Sequence, residues 1–375
     1  MHYLTFVAVD VPPVVENIEE NNKVKARIQE LEQKEKVSIS DEIELRFLRE
    51  TQTTFAREVC DAVDEVFYKH CNEAEEYQEF EDMTKDLQKE YNEDTANFIK
   101  FPDGSFKQPY HHYDGHSFAI QDGVVFESVR RNGKYKSDLK RTKFAKKLKA
   151  VENYPYKKAY KTLERFVQEI HYMEYDEKNK GYGTYYNPYS LFDWYVIGGR
   201  WPNEFLVKED CKEVYVGVPT KDYSMPAPEG YCWATAARMK DIEWKLMKEL
   251  EIQERTKTYN EFKEWFTRGE VSQETAKGLP YKITEQGITL WDEMVYNKNE
   301  TLEAMLERRG LTDDFKYPPV CYYYYQDEML YECWTYTTPQ EEGHPKHIRE
   351  WGKEVDEYLD GLYPEQVLVC VDIHQ

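Results

Sequence analysis

What the chain lacks narrows its possible roles. None of its seven cysteines (Cys60, Cys71, Cys211, Cys232, Cys321, Cys333 and Cys370) forms a Cys-x-x-Cys pair, which argues against a zinc ribbon. Their odd number and wide spacing are expected for reduced thiols in a cytoplasm, mostly serving as small core residues. No apolar run is long enough to span a membrane, and residues 1–10 (MHYLTFVAVD) are too short for a signal segment. Internal repeats and low-complexity segments are absent. Positive charge is scarce: 50 Lys and Arg stand against 72 Asp and Glu, a net charge of −22. Such a surface repels phosphates, so nucleic acid is not an expected partner without a local basic patch, whereas a partner protein with a basic surface is attracted. No catalytic signature stands out, and no cofactor is expected.

What the chain does contain is tyrosine. At 375 residues it is long enough for a sizeable core and more than one structural unit. Hydrophobic residues make up 40% and charged residues 33%, with a polar mean hydropathy of −0.86. The 15% aromatic content, including 32 Tyr, nevertheless argues against disorder. A Tyr ring covers apolar surface while its hydroxyl still needs a partner, so such a chain is suited to wet cores, shallow pockets and broad interfaces.

Residues 1–10 read as a buried strand, stopped by Pro12 and Pro13. Helical spacing follows at Val14, Ile18, Val24, Ile28 and Leu31, then over residues 40–50. A third helix is expected with Phe55, Val59, Val63, Val66 and Phe67 on one face. Residues 73–93 are acidic, either a solvated helix or a mobile excursion. Residues 101–126, punctuated by two Asp-Gly pairs, Pro102 and Pro109, look like hairpins. Residues 130–165 hold fourteen Lys or Arg against three acids, a local +11 that leaves −33 for the remainder, and suggest two helices. Residues 242–266 and 283–309 carry Trp, Met and Leu at helical spacing. Residues 320–325 and 331–337 read as an antiparallel pair, 345–359 as a helix and 366–373 (QVLVCVDI) as a closing strand.

The two ends therefore mirror each other, a strand then a helix and a helix then a strand. This predicts an α+β fold, a ferredoxin-like antiparallel sheet formed by the N- and C-terminal segments with large helical insertions. The expected division is an α+β core of residues 1–36, 182–240 and 315–375, a helical and hairpin insertion with the basic block over 37–181, and a helical insertion over 241–314.

The aromatic stretch 182–201 (YGTYYNPYSLFDWYVIGGRW) organises the chain. Asn187-Pro188, followed by Asp193-Trp194-Tyr195-Val196-Ile197-Gly198-Gly199-Arg200-Trp201, resembles a signature of uncharacterised proteins of bacteria and their phages. In those proteins the Asp is preceded by Trp, where this chain has Phe192, and a closing strand bears an Asp near its tip. The resemblance covers about a tenth of the chain. It implies a mobile-element context and, by analogy, a counter-defence role in the host cytoplasm; it implies no reaction.

Three constellations have chemical potential. In Asp193, Trp194, Tyr195, Gly198, Gly199, Arg200 and Trp201, the glycines permit a tight turn or close approach. Arg200 offers a planar fork to phosphate or carboxylate, and the rings can stack a base. This set suits a nucleotide-like ligand; the plainer alternative is a hairpin with Arg200 paired to Asp193 or another acid. Because no helical pattern follows the glycines, a P-loop or dinucleotide fingerprint is excluded. The second set, His111, His112, Asp114 and His116, could bind metal or do acid–base work, although the Asp-Gly pair reads equally well as a turn. The third, the basic block, is a nucleic-acid candidate, but is expected to pair with the protein's own acidic helices or another subunit. The expected function is non-catalytic: sequestering a nucleotide-like ligand or inhibiting a host protein, with homo-oligomerisation an open option. The alternative is a metal- or His-dependent enzyme acting on a phosphate-containing substrate.

Overall fold

The computed structural model describes residues 1–34, 38–110, 112–113, 116–131, 134–218, 226–291, 293–317, 321–335, 344–345 and 348–375. For residues 112–113, 116, 129–131, 134–138, 335, 344–345 and 348 it describes the backbone alone. The chain is α+β and divides into two compact units, residues 1–75 with 189–375, and residues 76–188.

In the first unit the terminal strands form the centre of the sheet. β1 (His2–Val9) pairs antiparallel with the closing strand over eight residues, from His2↔His374 to Val9↔Val367. Numbered along the chain, the other strands are β2 (Trp194–Ile197), β3 (Val214–Tyr215), β4 (Ala236–Arg238), β5 (Tyr323–Gln326) and β6 (Met329–Glu332), and the closing strand is β7 (Val367–His374). The order is β3-β4-β7-β1-β5-β6. Both terminal strands are apolar on both faces because helices cover both.

One face is covered by α3 (Thr54–Phe67), which follows α1 (Ile18–Glu32) and α2 (Ile39–Glu50). Thr53 caps α3, and Phe55, Val59, Val63 and Phe67, at successive fours, are buried. The other face packs against α4 (Trp244–Arg268) and, beyond α5 (Leu302–Arg308), α6 (Ile348–Gly361). There Leu4, Phe6, Leu368 and Cys370 meet Met247, Trp351, Val355 and Tyr358. The four consecutive tyrosines alternate as a strand requires. The Tyr324 ring stacks on Tyr331, Trp351 and Tyr358, while the Tyr325 hydroxyl donates to the Val66 carbonyl on the opposite face.

The sheet is mixed, not wholly antiparallel. A ferredoxin-like order would place the second strand of the β5–β6 hairpin beside β1. Here the first strand lies there, parallel to β1 with Thr5↔Tyr323 in register. Residues 37–75 also group with the first unit instead of an insertion over 37–181, since α3 covers the sheet. Residues 241–314 fall in the first unit too. The expected helix over 283–309 is a three-stranded sheet (Tyr281–Ile283, Gly287–Leu290, Glu293–Asn297) followed by the short α5. A Cβ on Gly287 would lie 1.8 Å from the Tyr296 carbonyl oxygen, so only glycine allows that strand approach.

The second unit holds the hairpins expected over 101–126, within a four-stranded sheet. Residues 73–93 include a strand, Glu79–Asp82, and a helix, Thr84–Glu93. The basic block forms strands Lys134–Lys140 and Lys149–Pro155 rather than two long helices. Its helical turns are short, Tyr156–Ala159 and Leu163–Phe166. Leu87, Phe98, Tyr156, Phe166 and Tyr182 form its main core. All seven cysteines of the chain are free. Among the described residues, no helix is long and apolar enough to cross a membrane.

Arg238 clamps the far end of the first unit. It is 1% exposed, and its guanidinium donates to the carbonyls of Val11 (3.0 Å), Pro12 (3.3 Å) and Glu365 (2.6 Å) and to both carboxylate oxygens of Glu213. The Arg238 hydrogen bond holds the Glu213 carboxyl below the usual carboxylate range. Truncation leaves three carbonyls and a carboxylate without their donor. Arg238→Ala is therefore expected to cost about 3–5 kcal/mol, read as a lower urea midpoint for this unit.

Candidate functional site

The aromatic Gly-Gly-Arg segment lies where two strands share one edge of β7. β2 pairs with residues 371–374 of β7, and β4 with residues 367–369. Between them the Gly198 N–H donates to the Cys370 carbonyl (2.8 Å), and the Cys370 N–H donates to the Thr235 carbonyl (2.9 Å). The chain leaves this edge of β7 at Gly198 and returns to it at Thr235. The hairpin considered as the plainer alternative does not form: β2 pairs with β7, and Phe205–Lys208, beyond the turn, pairs with Tyr231–Ala234. Gly198 and Gly199 have φ of 71° and 55°, which favours glycine. A Cβ on Gly199 would lie 2.4 Å from the Asp372 Cβ.

That approach brings the turn onto Asp372, the polar centre of the site. Its side chain is 3% exposed, and each oxygen is used. Oδ1 lies 3.0 Å and Oδ2 3.2 Å from His2 Nδ1, and Oδ2 also accepts from the Arg200 backbone N–H at 3.1 Å. A second pair stands beside it, His374 Nδ1 lying 2.9 Å from Asp193 Oδ2. Strand register makes this inevitable. His2 opposes His374 across β1–β7, and Trp194 opposes His374 across β2–β7, so all three rings share a face. Trp194 stacks on His374 with centroids 5.1 Å apart and planes within 3°. His2 stands edge-on to both, 5.1 Å from each. The stripe continues through Trp201, whose ring lies 6.3 Å from that of Tyr322; Tyr322 is 43% exposed and stacks on Trp334.

The candidates from the first constellation divide. Trp194, Gly199, Arg200 and Trp201 belong to this face, Gly198 shapes the turn and Asp193 orients His374. Tyr195 does not belong. It points to the opposite face, packs on Phe67 and Phe192 and donates to Asp64 Oδ1 at 2.5 Å. Burial, then the Asp64 hydrogen bond, pushes its phenol well above the ordinary value. The expected Asp193–Arg200 pair is also absent, because Asp193 is taken by His374. Among the described residues, no acid pairs with the Arg200 guanidinium.

His2 and His374 were not singled out from the sequence. Their signal was their position at the outer tips of two strands expected to pair. His111 and Asp114 lie outside the described residues, and for His112 and His116 only the backbone is described, in paired strands. Among the described residues, no three His, Cys, Asp or Glu side chains converge as a metal site. In the second unit, Lys140, Arg141, Lys143, Lys146, Lys147 and Lys149 are exposed. Among the described residues, none of these six ion-pairs with the acidic helices as expected.

Near the site, Glu204 has an unusual carboxyl. Burial, reinforced by the negative charge of Glu251, raises its pKa to about 7. It lies beside Cys370, whose thiol burial pushes well above its ordinary value, with the Glu204 charge as the next cause.

No family model matches the chain, and neither a curated protein nor a solved structure matches it.

Two outcomes are expected. Because the folded pKa of Glu204 exceeds the ordinary 4.5, folding favours the protonated carboxyl. Its stability contribution is full below about pH 4.5 and is lost as pH rises through about 7. Urea titrations from pH 4 to 8 should show a decline of up to about 3 kcal/mol, flattened in Glu204→Gln. Gly199→Ala should cost about 2 kcal/mol or more, seen as a lower melting temperature, because its Cβ collides with Asp372 at a positive φ.

Proposed function

We propose that this face binds a small anionic molecule carrying an aromatic ring, a nucleotide in chemical class. Arg200 carries the reading. Its backbone is anchored on a buried carboxylate, yet its guanidinium, on a chain with net charge −22, takes no acid among the described residues. An exposed guanidinium with no acid partner among the described residues suits a phosphate. Trp194, Trp201 and Tyr322 offer ring faces for a base. Sequestering such a ligand would serve the counter-defence role suggested by the resemblance to phage proteins, in a host cytoplasm.

A second reading, capture of a host protein with a basic surface, is supported by α2. That helix exposes Ile39, Ile43 and Phe47, four residues apart, among acidic neighbours Asp41, Glu42 and Glu44. Apolar anchors ringed by charge are the usual makings of an interface.

Titration calorimetry with ADP distinguishes the two. Arg200→Ala should weaken ADP binding roughly tenfold to a hundredfold, as expected for a lost charged hydrogen bond, with an unchanged circular dichroism spectrum. Inhibition of a protein partner would survive Arg200→Ala, weaken steeply with salt and fail in Ile43→Asp. If the wild-type chain does not bind ADP or any other nucleotide at millimolar concentration, the ligand reading is wrong.

A further inference from the structure

The ligand-binding reading explains Arg200 and the rings but leaves the two histidines unused. Each is held in the same way: Nδ1 of His2 faces buried Asp372, and Nδ1 of His374 faces Asp193. A carboxylate accepts a hydrogen bond, so each Nδ1 carries its hydrogen and the lone pair of the neutral ring is on Nε2. His2 Nε2 has no partner among the described residues. His374 Nε2 has the Met1 amino group at 3.4 Å. The rings are 5.1 Å apart, nearly perpendicular, on one face and beside Arg200. A binding pocket needs an arginine and rings; it does not need two imidazoles each fixed in one tautomer by its own carboxylate. Asp372 does more than hold a ring, since it also accepts from the backbone N–H of Arg200, tying the imidazole and the Gly-Gly-Arg turn to one group.

We propose that this face cleaves a nucleotide phosphodiester by paired general acid–base chemistry, with His2 and His374 as the base–acid pair. The proposal rests on the ligand-binding reading of the same face. Nε2 of one ring, neutral, takes the proton of an attacking hydroxyl, from water or from the ribose 2′ position. The oxygen–phosphorus bond forms while the bond to the leaving oxygen breaks, and that oxygen receives the proton from Nε2 of the other ring, the imidazolium. Water as nucleophile gives a phosphomonoester and an alcohol; a ribose hydroxyl gives a cyclic phosphate and an alcohol. No electrons change hands, and one proton returned through solvent resets the pair. The buried Asp372, 3% exposed, and Asp193, 51% exposed, each hold one ring through its Nδ1. Arg200 balances the charge on the non-bridging oxygens. Asp372 and Asp193 are positioning residues.

The test uses the full chain with three probes, adenylyl-(3′→5′)-adenosine, its deoxy counterpart and 3′,5′-cyclic AMP, with products resolved by chromatography and mass spectrometry. Binding is measured in parallel by calorimetry. The informative variants are His2→Asn and His374→Asn. Each amide retains an N–H for the carboxylate and lacks Nε2, so fold and binding are preserved. Turnover of at least one probe is expected, with kcat reduced roughly 10²–10⁴-fold in either variant and its dissociation constant within threefold. Asp372→Asn should reduce kcat and change its pH profile, which loss of structure alone would not do. Probes that bind but are returned intact overturn catalysis and leave the ligand reading standing. Probes that neither bind nor react overturn both. Turnover unchanged in both asparagine variants also overturns the proposal, because the chemistry would then lie elsewhere.

Discussion

The pairing of the first strand with the last is the constraint on which the first unit depends. Eight residues of β1 meet eight of β7, and no other contact in the unit joins such distant parts of the chain so extensively. Closing that loop is entropically expensive, and burial compensates. Val7, Val9, Val367, Val369, Val371 and Ile373 are sealed beneath one layer of helix, and Leu4, Phe6, Leu368 and Cys370 beneath the other. Once the ladder forms, β5 and β6 extend one side of it and β2 and β4 share the other. Arg238 ties Val11 and Pro12, just beyond β1, to Glu365, just before β7, so a buried charge reinforces one end of the same ladder.

The opposite end of the ladder holds His2, Asp372 and His374. Helices over one face bury Leu4 and Phe6 but leave His2 and His374 half-covered. A two-residue period then puts Asp372 next along β7 on that same face, where the apolar cover begins. The carboxylate is buried yet saturated, with an imidazole and the backbone N–H of Arg200 as donors. This is how a charge is kept in a low-dielectric place without destabilising the fold. The glycine pair serves this arrangement. A side chain at Gly199 would occupy the space Asp372 needs, so its conservation of space and the strand-exit geometry have one cause.

Much of the frame was legible in the residues. α3 announced itself through Phe55, Val59, Val63 and Phe67, and the terminal strands through near-continuous apolar runs. The antiparallel pair expected over 320–325 and 331–337 is present as Tyr323–Gln326 against Met329–Glu332. Local pattern misled over 283–309, where Trp291 and Met294 have helical spacing but belong to a turn and a strand. Gly287, Trp291 at a φ of 49° and a cross-strand approach decide against the helix. In and beside the basic block, Phe144, Leu148, Val151, Leu163, Phe166 and Ile170 have helical spacing, whereas pairing with Thr95–Lys100 and Val124–Arg131 made strands of Lys149–Pro155 and Lys134–Lys140. Tyr195 was grouped with its neighbours by sequence adjacency, though adjacent strand residues point to opposite faces.

By itself, the sequence determined the α+β class, the terminal strands, the helical stripe of α3 and the glycine turn at Gly198 and Gly199. Each is a local or periodic property, set by side-chain volume, charge and backbone freedom within a few residues. Tertiary structure alone decided that β5 runs parallel to β1 and that β2 and β4 share an edge. It alone decided that His2, Asp193, Arg200, Asp372 and His374 meet. Those residues are separated by as much as nearly the whole chain, and their meeting depends on register between strands. One residue of slip would send Asp372 to the other face. Register is set by the total burial of both sheet faces, which no single segment encodes.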